Sequence, residues 1–240
     1  MDQIRNGQAE ISGDDAKHLT RVLRVEAGQR YEISENQTVY LAEIDTARKE
    51  RVTFRMLEKL PVIEPPVRMI LCAALIKFDH FEWMIEKATE LGVVEIVPVV
   101  TVRGERGLDK AAHKRLERWH RIGMEASQQS RRAHLPEISG PTAWTDVLDT
   151  TANYRFALDE IGTRPLSLAF PALRCATDSV ALLIGPEGGW TDEERAGFTA
   201  AGWAAASLGP SILRAETAAL AALAVVSASW QTPPVATLNS

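Results

Sequence analysis

The sequence predicts an α/β protein in two parts, a small β-rich module followed by a mostly parallel sheet flanked by helices. Three observations carry this reading. Short β-type runs fill residues 1–60, a proline pair at Pro65-Pro66 interrupts them, and beyond it apolar strands alternate with longer helices. Alternation of that kind sets successive strands side by side in parallel, with the helices packed on the sheet faces.

In the first part the runs YEIS, TVYLAEI and RVTFRML are rich in β-branched and aromatic residues and are separated by polar turn material such as Glu35-Asn36-Gln37. The segment Val62-Ile63-Glu64-Pro65-Pro66 suits neither a helix nor a central strand, because its prolines lack backbone donors and restrict the residue before them. The domain boundary is placed there, giving a first domain over residues 1–64 and a second over 67–230. The second opens with a strand at Arg68–Leu75 and a helix at Asp79–Leu91, where Phe81, Met84, Ile85, Ala88 and Leu91 recur at helical spacing and Gly92 suits the position just past the helix. A strand at Val93–Val100, a helix at Lys110–Ser130, strands at Arg155–Leu158 and Val180–Ile184, and helices after Thr191 and after Ser211 complete the pattern. Residues 231–240 contain Pro233-Pro234 and read as a disordered tail.

Composition excludes some classes. With 240 residues, 45% hydrophobic and 25% charged, the chain is neither disordered nor fibrous. Charges at Asp2, Arg5, Glu10, Asp14 and Asp15 argue against a secretory signal. The longest apolar run, around Ala218–Val226, is too short to span a membrane, so the expected location is cytoplasmic. Cys72 and Cys175 form no CxxC pair and read as small core residues; the five histidines have no zinc spacing, so no metal is expected. A net charge of −5 and a pI near 5.6 count against nucleic acid as a partner. Distribution reverses that reading, since Arg103 to His134 holds nine Lys or Arg against four acids.

Two stretches carry chemistry. In the first, the strand Leu182-Leu183-Ile184 runs into Gly185-Pro186-Glu187-Gly188-Gly189-Trp190 and then a helix, and ligands of α/β proteins bind at such strand ends. Gly188 and Gly189 let backbone amides approach a ligand, and Thr191 with Glu194 forms a T-x-x-E capping box. Neither the P-loop nor the dinucleotide fingerprint is present, and Asp192, Glu193 and Glu194 crowd the helix start where a phosphate would sit. A phosphate-free ligand fits better, and S-adenosylmethionine, with its positive sulfonium, is one; a purely structural turn is the alternative. The second stretch, Leu208-Gly209-Pro210-Ser211-Ile212-Leu213-Arg214-Ala215-Glu216-Thr217, leads into an Ala-rich helix that can pack closely on a partner element. A buried core helix does not by itself account for Arg214, Glu216 and Thr217 in its first turn.

In this order and spacing, IGPEGGWTDEE and LGPSILRAETA resemble the two signature loops of the 16S rRNA (uracil-N3)-methyltransferases of the SPOUT (α/β-knot) superfamily. HLTRVLRVEAGQ, IEKATELGVVEIVPVVTVR and RWHRIGMEASQQSRR followed by HLPEI agree with the same family, so the resemblance covers most of His18 to Val225. It implies an N-terminal PUA-like β-barrel for RNA, a C-terminal SPOUT α/β domain whose backbone forms a trefoil knot, and a homodimer with the active site near the subunit interface. Periodicity implies no knot. The resemblance further places Leu158, Ile184, Gly185, Glu187, Gly188, Leu208, Gly209, Leu213 and Thr217 at the cofactor, S-adenosylmethionine. The chain departs from the family pattern at Phe78, at Arg131 in place of a glycine, and at Ser211.

The implied reaction needs no metal. Placing uridine N3 in line with the methyl group supplies much of the acceleration, and the N3 proton must be removed or the resulting anion stabilised. Arg214 is the candidate for stabilising that anion or gripping a phosphate, and Glu187 or Glu216 for orienting base or cofactor; the alternative is that all three only brace the loops. N3 lies on the pairing edge, so the target must be unpaired or extruded. Arg21, Arg24, Lys77, Arg103, Arg131 and Arg132 are the expected RNA contacts, whereas Lys110, Lys114, Arg115, Arg118 and Arg121 read as a solvated helix face and Trp119 as core. The expected partner is 16S rRNA, within the small ribosomal subunit. Competing readings are a SPOUT enzyme acting on a ribose 2′-hydroxyl or another base, and a non-catalytic RNA-binding assembly factor.

Overall fold

Two separate sheets organise the chain, which divides into units 1–64 and 65–240. The computed structural model describes residues 2–5, 7–35, 38–62, 65–161 and 164–231. Asn36, Gln37, Ile63 and Glu64, parts of the expected turn and boundary, therefore lie outside the described residues.

The first unit holds β1 (Asp2–Arg5), β2 (Gln8–Ser12), α1 (Gly13–Arg21), β3 (Arg30–Glu35), β4 (Thr38–Arg48) and β5 (Arg51–Leu60). The three β-type runs are β3, β4 and β5; β1, β2 and α1 were not anticipated. The strands form one antiparallel sheet in the order β1-β2-β5-β4-β3. Alternate residues, among them Ala42 and Ile44 on β4 and Val52 and Phe54 on β5, bury one face, with Ala16 of α1 in the same cluster.

The second unit follows as β6 (Arg68–Ala74), α2 (Phe78–Glu90), β7 (Glu95–Val100), α3 (Leu108–Ala112), α4 (Leu116–Gln129), β8 (Glu137–Ile138), β9 (Thr142–Ala143), α5 (Trp144–Val147), β10 (Tyr154–Leu158), β11 (Arg164–Pro165), α6 (Leu166–Ala169), β12 (Ser179–Ile184), α7 (Asp192–Ala200), β13 (Ala204–Ser207) and α8 (Ala215–Gln231). The strand order is β11-β13-β10-β12-β6-β7-β8, with β9 also on β7, and every pairing is parallel.

Parallel sheets are covered on both faces, so their central strands are apolar throughout. On β6, Met69, Leu71 and Ala73 join the cluster holding Phe81, Met84, Trp119 and Leu223 of α2, α4 and α8, whereas Ile70 and Cys72 join Val147 and Phe198 of α5 and α7 on the opposite face. On β12, Val180, Leu182 and Ile184 face the first cluster, and Ala181 and Leu183 the second.

The structure corrects three expectations. The helix expected at Lys110–Ser130 is α3, a 3-10 turn at His113–Arg115, and α4; no proline or glycine marks the break, so periodicity ran through it. Cys175 is exposed, in the turn before β12, where its N–H donates to Asp178 Oδ2 at 2.8 Å; apolar neighbours misled, because the adjacent Leu173 is exposed too. Only Cys72 is core. The helix expected after Ser211 is α8, and it includes Gln231, the first residue of the expected tail; the rest of that tail, 232–240, lies outside the described residues. Among the described residues no helix is long and apolar enough to cross a membrane.

Candidate active site

The chain runs from β10 to β12 on one side and then, through α7, to β13 on the other side of β10. Strand order thus reverses at β12, and the loop that follows it, Gly185 to Thr191, sits at a topological switch point. A pocket of about 670 Å³, counted to its open mouth, lies there at the carboxyl ends of β10, β12 and β13.

One wall is pinned. The Trp190 indole is buried beneath the loop and donates from Nε1 to the Leu158 carbonyl at 2.8 Å, with its ring edge-on to Phe198. A Cβ at Gly185 would meet Trp190 Cε2 at 2.8 Å, so glycine is required there by space. At Gly189 the backbone is left-handed, with φ 66°, which glycine adopts without strain. The expected capping box is present: Glu194 N–H donates to Thr191 Oγ1 at 3.1 Å, and Thr191 N–H donates to Glu194 Oε2 at 2.8 Å. Glu194 is fully buried, and its Oε1 accepts the Val102 N–H at 2.9 Å, tying the helix start to the loop after β7.

Arginines complete the bracing. Arg195 donates from Nε to Asp159 Oδ2 at 2.7 Å, from Nη2 to Oδ1 at 3.2 Å, and from Nη1 to the Trp190 carbonyl at 2.8 Å. The bond to Asp159 holds the Arg195 guanidinium above its usual pKa. Arg103 Nη1 donates to the Gly188 and Trp190 carbonyls at 3.1 and 3.2 Å. A Cβ on Gly188 would meet Arg103 Cβ at 3.2 Å, so this glycine makes room for Arg103.

Leu158, Ile184, Gly185, Glu187, Leu208, Gly209 and Leu213 line the pocket; Gly188 and Thr217 do not. Asp159 and Glu160 also line it. Neither is among the residues expected there from the sequence, although an Asp-Glu pair straight after an apolar strand is a legible sign of a strand-end site. The lining holds three carboxylates and no Lys, Arg or His. With Asp159 neutralised by Arg195, Glu160 and Glu187 leave the pocket negative, which suits a cationic, phosphate-free ligand and repels a dinucleotide.

Of the three catalytic candidates, Glu187 is on the wall, and Arg214 is exposed between the lining residues Leu213 and Ala215. Glu216 is buried and turned toward α2, where Oε1 accepts from His80 Nδ1 at 3.0 Å. His80 has no motif around it, so only the fold could reveal that partnership. Among the expected RNA contacts, Arg21 and Arg24 are exposed in the first unit, and Lys77, Arg103 and Arg131 in the second. Arg132 turns inward instead: Nη1 donates to the Thr89 and Val93 carbonyls at 2.6 and 2.9 Å at the end of α2, and burial lowers its pKa. On the helical face, Arg115 and Arg118 bind Glu82 at 3.1 and 2.7 Å, leaving Lys110, Lys114 and Arg121 exposed. Phe78 fills the space between Trp119 and Arg115.

The fold and pocket are those of an RNA methyltransferase: the RNA methyltransferase domain family matches residues 63–227, and the RNA methyltransferase PUA domain family matches residues 11–57. The chain belongs to the ribosomal RNA small subunit methyltransferase E family. It is 31% identical to the Bacillus subtilis member over 90% of this chain and 88% of the relative, and 33% identical to the Synechocystis member over 95% and 75%. Two solved structures with bound S-adenosylmethionine are similar. A Legionella pneumophila methyltransferase has a TM-score of 0.83 and 30% identity over 95% of this chain and 94% of that one. The Neisseria gonorrhoeae ribosomal RNA small subunit methyltransferase E has a TM-score of 0.85 and 26% identity over 96% of both chains. The five-stretch resemblance read from the sequence holds.

Proposed function

We propose that the chain methylates N3 of a uridine in 16S rRNA of the small ribosomal subunit, using S-adenosylmethionine held in the pocket at the switch point. The acid-lined pocket, with Glu160 after β10 and Glu187 in the Gly185 to Trp190 loop and no Lys, Arg or His on its wall, carries this reading. Leu158, Ile184, Gly185, Leu208, Gly209 and Leu213 would hold the donor, with Glu160 and Glu187 facing its positive charge. When bound, it supplies an activated methyl group that needs no metal.

This chain's residues then orient the acceptor and handle its proton. Arg214, exposed at the pocket's edge, stabilises the anion that forms at the uracil as N3 loses its proton. Glu187, on the wall, orients the reactants; Glu216, held by His80, sets the start of α8, whose Ala215 and Ala218 line the pocket. The exposed cations Arg21, Arg24, Lys77 and Arg131 hold RNA phosphates, so binding weakens steeply with salt. Thr217 and Gly188, off the wall, support the two loops rather than touch the donor.

A homodimer and the knotted backbone of the SPOUT superfamily belong to the same reading. Ile212 and Leu213, both on the pocket lining, leave an exposed apolar edge, Ile212 at 86%, which a second copy would cover. The experiment is methyl transfer from labelled S-adenosylmethionine to small subunits and to naked 16S rRNA lacking modifications, with nucleoside analysis. N3-methyluridine is the expected product. A ribose-methylated nucleoside or another methylated base would replace the N3 assignment, and binding of the donor with no transfer to either RNA would remove it.

A further inference from the structure

A second cavity opens on the far side of β12 from β10, at the carboxyl ends of β6 and β7. It is open to solvent and lies between the strand ends at Leu75 and Val100, the loop from Thr101 to Gly107, and the first turn of α3. Thr101 is only 9% exposed, and its Oγ1 is buried without a hydrogen-bond partner. A buried hydroxyl left unmatched is costly, so its retention points to a partner that arrives from outside.

Gly104 supports this. Its backbone is not in the left-handed region, unlike that of Gly107 at φ 85°, so conformation does not require glycine. Space does: a Cβ would sit 3.0 Å from Thr101 Oγ1 and 3.3 Å from the Thr101 carbonyl oxygen. The glycine spares the hydroxyl a close methyl contact.

The wall carries both signs of charge, Arg106 and Lys110 beside Glu105 and Asp109. A nucleotide matches that mixture, offering phosphate to the cations and base N–H groups to the carboxylates. The same loop braces the first pocket through Val102 and Arg103, so an occupant here is held in register with it. The first pocket centres on β10, three strands from β7, so at about 4.8 Å per strand the sites lie roughly 14 Å apart, within reach of nearby nucleotides in a strand whose bases are splayed out.

We propose that this cavity receives a nucleotide flanking the methylated uridine, with Thr101 Oγ1 as a hydrogen-bonding group to it; the assignment rests on the RNA-methylating function proposed above. The test uses Thr101→Val and Gly104→Ala in the full chain. Methyl transfer gives KM for RNA and kcat, calorimetry gives the S-adenosylmethionine Kd, and anisotropy gives binding of a short single-stranded RNA. For Thr101→Val the KM and the RNA Kd rise about three- to tenfold, the loss expected for one hydrogen bond. The donor Kd and kcat stay unchanged, and thermal stability is equal or higher because an unmatched buried hydroxyl is gone. Gly104→Ala shifts RNA binding in the same direction. Wild-type RNA affinity in both variants overturns the proposal. So does an RNA defect matched by equal weakening of donor binding, which would mean that the loop acts only through its braces. A wild-type protein that methylates no RNA fails the parent reading instead, and anisotropy still decides whether the cavity binds nucleotides.

Discussion

Removing the Arg195 side chain tests whether the pocket wall depends on a buried charge pair. The Asp159 side chain is 3% exposed and that of Arg195 22%, with two hydrogen bonds between them and a third to the Trp190 carbonyl. Arg195→Ala leaves a buried carboxylate without its guanidinium, a loss of about 3–5 kcal/mol in such pairs. The lower end applies, because Asp159 also accepts the Ile161 N–H at 3.3 Å and Arg103 still reaches the Trp190 carbonyl. Asp159→Ala is milder, about 2 kcal/mol, since Arg195 can turn to water. The double variant leaves no orphaned charge and should cost about 3 kcal/mol, a coupling near 2 kcal/mol. Urea unfolding followed by tryptophan fluorescence measures this within the second unit, because all six tryptophans lie beyond residue 65. The donor Kd should rise at least tenfold in Arg195→Ala, since Asp159 and Trp190 both line the pocket. Single effects that add within about 0.5 kcal/mol, the behaviour of independent sites, would refute the brace.

Other outcomes follow from the same geometry. Gly185→Ala should abolish donor binding by calorimetry, because the new methyl meets an indole that its own hydrogen bond and burial hold in place. Arg131→Gly should raise the stability of the second unit by about 1 kcal/mol in urea, by releasing a left-handed residue at φ 54°, while lowering the salt slope of RNA binding by about one unit. A thiol reagent should titrate one cysteine in the folded protein, the exposed Cys175, and a second only on unfolding, because burial pushes the Cys72 thiol up to about 12. The sign of the linked pH effect is fixed. Cys72 keeps its proton in the folded state when the unfolded thiol, at an ordinary 9.0, has lost it, so folding stability falls as pH rises above 9, by up to about 1.4 kcal/mol per pH unit until 12.

Local chemistry was legible in the sequence, and partnerships across the fold were not. Thr191 and Glu194 are three residues apart, so their capping box could be read directly; the bond from Glu194 to Val102 spans 92 positions and is created by the sheet. The Arg195 to Asp159 pair spans 36 positions, and although Asp159 marks a strand end, nothing in the sequence joins it to Arg195. Strand β13, Ala204–Ser207, lacks the β-branched residues of the strands that were found, and is a strand because β10 and β11 pair with it. Lys110 to Ser130 keeps helical periodicity across a break that no residue marks.

Arg131 and Arg132 show why two adjacent, identical side chains could not be told apart in advance. Helices α2, α4 and α7 end alike: the two N–H groups past the cap bond back to carbonyls two and three residues inside, as Gly92 to Thr89 and Val93 to Ala88, Arg131 to Gln128 and Arg132 to Ser127, and Gly202 to Thr199 and Trp203 to Phe198. The first of each pair must be left-handed, and α2 and α7 use glycine there. In α4 the left-handed place is taken by Arg131, whose side chain is exposed. The residue after it points inward, so Arg132 reaches the end of α2. Helix-end geometry, and not residue type, therefore divides the pair into one arginine that packs and one that faces solvent at a cost in strain. Strain retained at an exposed cation is what an RNA contact would maintain, and the glycine variant measures both sides of that exchange in one protein.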